Sequence, residues 1–215
     1  MNKQFTDLYL SKLKIMKNYI VLSIALAFAL FAKGAGYKIG DSAKDFSLKN
    51  VDGKMVSMSD MKAAKGYIVI FTCNHCPFSK AYEERIIGLN AKYANSGFPV
   101  IAINSNDVTA VPEDSYENMV SLANDNGYTF PYLYDESQAI ASAYGASRTP
   151  HVFVLQKIKD KLVVQYIGAI DNNTEEPLKA DKKYVEDAVD ALLNSKPVVV
   201  SETKAIGCTI KWKSN

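Results

Sequence analysis

Cysteine is scarce in this 215-residue chain, at three, and histidine is scarcer, at two. So few soft ligands set aside a closed structural zinc site, which wants four: beyond a Cys73/Cys76 pair only Cys208, His75 and His151 remain. The chain has no low-complexity tract and no internal repeat, so neither a linker-rich nor a solenoid architecture is expected. Charge of one sign does not dominate either. The net charge is +2, and nothing past residue 35 suggests a nucleic-acid partner. The apolar run Tyr19 to Ala32, 14 residues broken only by Ser23, spans about 21 Å at the helical rise, short of the roughly 30 Å of a hydrocarbon core. A permanent membrane anchor is therefore the weaker reading.

What is present fits one ordinary α/β domain, at 48% apolar and 22% charged residues, long enough to bury a core without staples. The charge is unevenly placed. Lys3, Lys12, Lys14, Lys17 and Lys33 against Asp7 put +4 into the first 35 residues and leave −2 for the rest. Those lysines flank the apolar run, and the small residues Ala32, Gly34 and Ala35 follow it, which reads as a secretory signal peptide over residues 1–35. Met16 would make a more usual start, so residues 1–15 read as an upstream extension. Lipoprotein processing would need a cysteine just after the run, and the first is Cys73. The expected product is periplasmic or secreted, with no stable span after cleavage, a main domain over 36–200 and a C-terminal tail over 201–215.

The stretch Phe71-Thr72-Cys73-Asn74-His75-Cys76-Pro77 organises that domain. Tyr67 to Phe71 is a continuous β-branched and aromatic run, the signature of a strand buried on both faces. Pro77 suits the first turn of a helix, Ile86, Leu89 and Tyr93 recur at helical spacing, and Asn95-Ser96-Gly97 ends it. Two thiols at a strand-to-helix junction point to redox chemistry, because backbone N–H groups and the helix dipole can stabilise a thiolate there. Cys73 is expected as the exposed, low-pKa attacking sulfur, Cys76 as the resolving sulfur one turn on, and His75 as a charge or hydrogen bond beside Cys73. Covalent haem attachment is excluded by Pro77 where a histidine would have to follow. Half a zinc site and a merely structural disulfide are the blander readings. Cys208, left over if Cys73 and Cys76 pair, reads first as an inert thiol in a C-terminal strand and second as a further redox or metal-binding residue.

Along the chain, Asp45 to Leu48 and Met55 to Met58 form a hairpin around Asn50-Val51-Asp52-Gly53, and Ser59 or Asp60 caps a short helix closed by Gly66. Phe98 to Asn104 is a second buried strand parallel to the first, which brings Asn104, Asn106 and Asp107 near Cys73. A helix from Pro112 to Gly127 turns Tyr116, Met119, Val120 and Ala123 inward. A strand over 130–134 and a helix over 135–144 follow, then Thr149-Pro150-His151, a hairpin of Val152 to Leu155 with Leu162 to Ile167, and a helix over 182–193 capped by Asp181.

Strand, Cys-x-x-Cys-Pro helix, strand, then Thr149-Pro150 entering a β-hairpin and a final helix resembles the thioredoxin superfamily. The inserted segment Pro112 to Tyr134 and the phrase Phe130-Pro131-Tyr132-Leu133-Tyr134-Asp135 resemble its redoxin branch, the peroxiredoxin-like AhpC/TSA group, over roughly residues 37–195. The resemblance implies an α/β thioredoxin-like fold, a central mixed β-sheet flanked by helices, with a redoxin-type insertion and an N-terminal hairpin. It also implies a cis Pro150 against the active sulfurs, with the Thr149 backbone docking a bound peptide. Cys73, Cys76, His75, Thr149 and Pro150 are the implied site, with no cofactor and no metal.

Departures from the family patterns narrow the chemistry. Peroxiredoxins carry Pro-x-x-x-Thr-x-x-Cys, and here Val69 and Cys73, or Gly66 and Ile70, stand at the proline and threonine positions, according to which cysteine is aligned. Thioredoxins place a carboxylate in the strand before the motif, whereas Met61 to Thr72 contains no acid, leaving Glu83, Glu84 or water to move the Cys76 proton. Histidine at position 75 is shared with the strongly oxidising DsbA-type proteins. The preferred reading is an extracytoplasmic thiol-disulfide oxidoreductase acting on protein thiols and disulfides or a thiol reductant. A thiol peroxidase consuming hydroperoxides is second, and a copper carrier using Cys73, Cys76 and His151 is third.

Overall fold

The computed structural model describes residues 36–214. The signal-peptide and upstream-extension expectations lie outside the described residues. No helix among the described residues is long and apolar enough to cross a membrane.

The architecture follows from three runs buried at every position: β4 (Gly66–Phe71), β5 (Val100–Asn104) and the first half of β8 (His151–Ile158). A strand apolar on both faces must be covered on both. These three lie at the centre of an eight-stranded sheet. With β1 (Ser42–Ala43), β2 (Ser47–Asn50), β3 (Met55–Ser57), β6 (Tyr132–Tyr134) and β9 (Lys161–Gly168), the order is β1-β9-β8-β4-β5-β6-β2-β3. β4 pairs parallel with β5 and β5 with β6, while β8 runs antiparallel to β4, so the sheet is mixed as expected.

Strand periodicity then sorts the core. Ile68, Ile70, Val100, Ala102, Val152 and Val154 face the layer containing α1 (Pro77–Tyr93), α2 (Tyr116–Asp125) and α4 (Tyr184–Leu193). Tyr67, Val69, Phe71, Ile101, Ile103, Phe153 and Leu155 face the other side, where α3 (Ala139–Tyr144) and the N-terminal segment cover them. β9 breaks the alternation at a bulge: Val154 pairs with Tyr166 but Leu155 with Val164, so Gln165 is extra and Val164 and Tyr166 enter opposite layers.

Helix α1 buries Ile86, Leu89 and Tyr93 as their spacing predicts, and Gly97 beyond it holds φ 99°. The N-terminal hairpin forms with Gly53 at φ 83°. Several expectations fail locally. The short helix before β4 is a single 3₁₀ turn, Met58–Asp60, closed through Ser57, whose N–H and hydroxyl both bond Asp60. Gly66 ends no helix: it opens β4, where a Cβ would lie 2.2 Å from the Leu155 carbonyl oxygen. Pro112 starts only a 3₁₀ turn, and α2 begins four residues later, at Tyr116, behind Ser115, whose hydroxyl accepts the Asn118 N–H. Asp181 does not cap α4 but accepts from Asn172.

The segment after residue 200 packs back onto the domain. Residues 201–203 bond the end of β9 at Ile167, and β10 (Cys208–Thr209) pairs antiparallel with β7 (Arg148–Thr149). Lys211 is fixed through its N–H by Asn106 Oδ1 and through its C=O by Asp107 N–H and Gln138 Nε2.

Phe153 meets Phe71 at 5.8 Å and Tyr144 at 5.2 Å between ring centroids, edge to face. Phe153→Ala is therefore expected to cost about 3–5 kcal/mol of folding stability, measured by denaturant unfolding with the cysteines held in one redox state.

Candidate active site

The thiol loop lies where β4 ends beside β5 and β8, at the carboxyl edge of the parallel strands. Thr72 is still tied to the sheet through its N–H to Ile103 O. Cys76 is the N-cap of α1, with extended φ −61° and ψ 127°; its carbonyl accepts the Lys80 N–H, and Pro77 fills the first turn without leaving an orphan donor.

The loop is held by a residue that sequence reasoning missed. Asp114 has no exposed surface. Its Oδ1 accepts the N–H groups of Asn74 (2.7 Å) and His75 (3.2 Å). Its Oδ2 accepts Asn106 Nδ2 at 2.6 Å and lies 2.7 Å from His75 Nδ1. Asn74 adds a bond to Glu113 O and accepts the Tyr132 hydroxyl. An acid in a Pro-Glu-Asp turn reads from sequence as an ordinary helix start, so only the pairing of distant loops identifies it. Asn104 and Asn106 join this network as expected, Asn104 through its amide to the Asp114 carbonyl. Asp107 serves the turn and the tail instead.

The expectations for the sulfurs are corrected. Cys73 is buried, at 4% exposure, and is the free thiol; Cys76 is fully buried and bonded to Cys208, 132 residues away. Cys208 is therefore not an inert thiol, and the disulfide present is not the Cys73–Cys76 one. The Cys73 sulfur lies 3.3 Å from Thr149 Oγ1 and 3.6 Å from Ser79 Oγ and accepts the Cys76 N–H. Those three contacts favour a thiolate. Burial, and then the negative charge of Asp114, outweigh them and push the Cys73 thiol up from its ordinary value.

Thr149 touches both sulfurs of the motif, since its carbonyl oxygen lies 3.5 Å from Cys76 Sγ. The Thr149–Pro150 bond is cis, as the family resemblance implies. His75 makes its ring bond to Asp114 rather than to Cys73. Glu83 borders the same narrow cleft as Cys73, but its carboxylate is occupied by Tyr128 and Asn126, and Glu84 is exposed. His151 is not gathered with the sulfurs. Its ring packs on Phe153, its Nδ1 accepts the Ser147 N–H, and burial followed by the Arg148 charge lowers its pKa to about 4. The ligand set expected for a copper carrier is thus not assembled. Cys73, His75 and Asp114 do bring one ligand atom each within 4.8 Å of the others. The carboxylate among them already accepts four hydrogen bonds, filling its lone-pair sites.

Residues 39–167 match the model of the AhpC/TSA family. The thiol-disulfide oxidoreductase ResA of Bacillus thuringiensis (strain Al Hakam) is 29% identical over 173 residues, covering 77% of this chain and 91% of that protein. Among solved structures, an uncharacterized conserved protein from Geobacillus kaustophilus superposes with a TM-score of 0.77 at 38% identity, covering 84% of this chain and 95% of that one. The exposed lipoprotein thioredoxin Etrx1 of Streptococcus pneumoniae strain TIGR4 shares the fold, with a TM-score of 0.50 at 19% identity over 71% of this chain and 99% of that one.

With its thiol pKa raised, Cys73 should alkylate with a midpoint above that of an ordinary thiol, followed by the rate of a small maleimide against pH. Asp114→Asn removes the repelling charge and should move that midpoint down. The native state should also lose stability as pH climbs from the ordinary thiol value towards the raised one, because the unfolded chain releases this proton first.

Proposed function

The chain belongs to the AhpC/TSA family, and from that premise we propose an extracytoplasmic thiol-disulfide oxidoreductase in which Cys73 attacks and Cys76 resolves. Its reaction class is the one its curated relatives are named for. The observation that carries the assignment of roles is the set of donors converging on one thiol: the Thr149 and Ser79 hydroxyls and the Cys76 N–H all meet the Cys73 sulfur. Each stabilises the anion that forms when Cys73 loses its proton and again when it departs from a mixed disulfide.

In the reducing direction the Cys73 thiolate attacks a partner disulfide. One Cys73–partner bond forms, the partner's own S–S bond breaks, and the freed partner sulfur takes a proton. Cys76, once a thiol, then attacks Cys73 Sγ, releasing the second partner sulfur and leaving a Cys73–Cys76 disulfide. Oxidation of a dithiol partner runs the same steps backwards. Cys76 reaches its working state only after the bond to Cys208 is opened.

The surrounding residues position rather than react. Asp114 sets the loop through two backbone N–H groups and orients His75, whose charge when protonated offsets that of the carboxylate beside Cys73. The backbone of Thr149 forms one side of the antiparallel pair β7–β10 and offers the same edge to an extended partner peptide. Pro150 follows without an N–H to compete for the sulfurs. The partners are protein thiols and disulfides or a thiol reductant, and the location rests on the basic and apolar N-terminal residues. The peroxidase reading lacks its proline and threonine, since Gly66, Val69 and Ile70 are strand residues of β4.

Reduced Cys76→Ser chain, mixed with a peptide disulfide, should accumulate a stable adduct on Cys73 that peptide mass mapping locates. Cys73→Ser should bring exchange of a fluorogenic disulfide to background. Full activity of Cys73→Ser, or adducts on Cys208 alone, would assign the attacking sulfur wrongly.

A further inference from the structure

The C-terminal strand occupies the edge at which a partner would dock. Cys208 lies opposite Thr149 in the antiparallel pair, and Thr209 lies opposite Arg148. The approach is close enough to exclude a side chain just before the cysteine: a Cβ on Gly207 would lie 2.2 Å from the Thr149 carbonyl oxygen and 2.6 Å from its carbon. Further bonds seat the strand. Arg148 donates to Gly207 O at 2.8 Å, Ile210 donates to Ser147 O at 3.1 Å, and Lys211 is held on both sides. The strand delivers a sulfur into the site, where Cys208 is bonded to Cys76 while Cys73 waits as a thiol with its sulfur on the Cys76 N–H. Three sulfurs and one disulfide thus meet around Thr149, from which Cys73 is 3.3 Å and Cys76 3.5 Å distant.

We propose that Cys208 is a third redox residue of this enzyme, and that its strand is a built-in substitute for the partner, latched by the Cys76–Cys208 disulfide and released by Cys73. The proposal rests on the reading of Cys73 and Cys76 as the exchange pair. The step is an internal exchange needing no outside oxidant or reductant. Cys73 gives its proton to water, its thiolate attacks Cys76 Sγ, the Cys73–Cys76 bond forms, the Cys76–Cys208 bond breaks, and the Cys208 thiolate takes up a proton. One disulfide is present before and after. Before, the docking edge is covered and Cys73 is a lone thiol. After, the motif carries the oxidising disulfide, and nothing covalent holds the strand over the edge. A burial-raised thiol on Cys73, set against a partly exposed thiol on Cys208, makes rising pH favour the second form.

The test follows the disulfide. Full-length one-disulfide protein is held at about pH 6 or taken to about pH 9, either side of an ordinary thiol pKa of about 8.5, then acid-quenched, alkylated and mapped by peptide mass. At the lower pH the label should sit on Cys73. At the higher it should pass in part to Cys208, with a Cys73–Cys76 linked peptide appearing in step. Label confined to Cys73 at both would overturn the proposal, and this arm needs no variant. Gly207→Ala, which lifts the strand without touching a sulfur, should shift label towards Cys208 at the lower pH, and an unchanged distribution in the folded variant counts against the latch. Cys208→Ser, oxidised to its Cys73–Cys76 disulfide, should oxidise a peptide dithiol about tenfold faster than the one-disulfide wild type if only about a tenth of the wild-type molecules carry the motif disulfide. A Cys208→Ser rate equal to wild type, with Cys73→Ser inactive, removes this proposal alone. An active Cys73→Ser removes the reading beneath it.

Discussion

Everything at the site hangs on how Asp114 is satisfied. A carboxylate with no exposed surface is tolerable only where hydrogen bonds replace its lost hydration, and the four donors that do so come from three separate places: the backbone of the thiol loop, the His75 ring and the Asn106 amide. The same bonds that keep the charge buried therefore fix the Cys73 loop against the end of β5. Asn106 extends the chain of contacts by accepting the Lys211 N–H, so the loop and the C-terminal strand are positioned by neighbouring bonds. The arrangement has an electrostatic consequence for Cys73. A negative charge placed to hold the loop also opposes ionisation of the sulfur it holds, and the helix start and two hydroxyls do not reverse that.

Beneath the site, the sheet provides rigidity. β4, β5 and β8 bury both faces, so their ends cannot shift without opening two cores. The site residues sit at the ends of these strands: Cys73 two residues past β4, Asn104 and Asn106 at and after the end of β5, and Thr149 just ahead of β8. A site assembled at the ends of doubly buried strands keeps its spacing while partners come and go.

How much of this could be read from residues alone depends on the range over which each feature acts. The central strands, the α1 stripe of Ile86, Leu89 and Tyr93, the hairpin turn at Gly53 and the cis Thr149–Pro150 bond are encoded locally or by a short motif, and all were legible. The mixed sheet and the gathering of Asn104 and Asn106 towards the motif followed from the rule that sites form beyond the carboxyl ends of parallel strands. Legibility ended where two distant segments had to be matched. With three cysteines, local spacing favours the two that are close in sequence, and nothing in Gly207-Cys208-Thr209 announces that it will lie against Thr149. The lowered thiol pKa expected for Cys73 failed for a related reason: a helix start is visible in the sequence, whereas burial and Asp114 are products of the fold. Gly66 was misread because a glycine required by close approach of β4 to β8 is written the same way as one that ends a helix.

The two disulfides open to Cys76 differ in what they do to the unfolded chain. In the loop-entropy view a bond across 132 residues restricts the denatured ensemble by about 5 kcal/mol, while one across a Cys-x-x-Cys turn restricts it by only about 2 kcal/mol. The unfolded chain therefore closes the short loop more readily, by about 3 kcal/mol, and the folded chain must supply the geometry that makes the long one competitive. That geometry is the seat of β10 on β7: the ladder bonds to Thr149 and Arg148, the close pass of Gly207, and the anchoring of Lys211. On the proposed exchange, whatever loosens this seat moves the disulfide towards the motif, and whatever tightens it moves the disulfide to Cys208. In the proposed exchange the choice of Cys76's disulfide partner and the docking of the C-terminal strand are one equilibrium, and by linkage a partner peptide that competes for the Thr149 edge must also bias where the sulfurs are bonded.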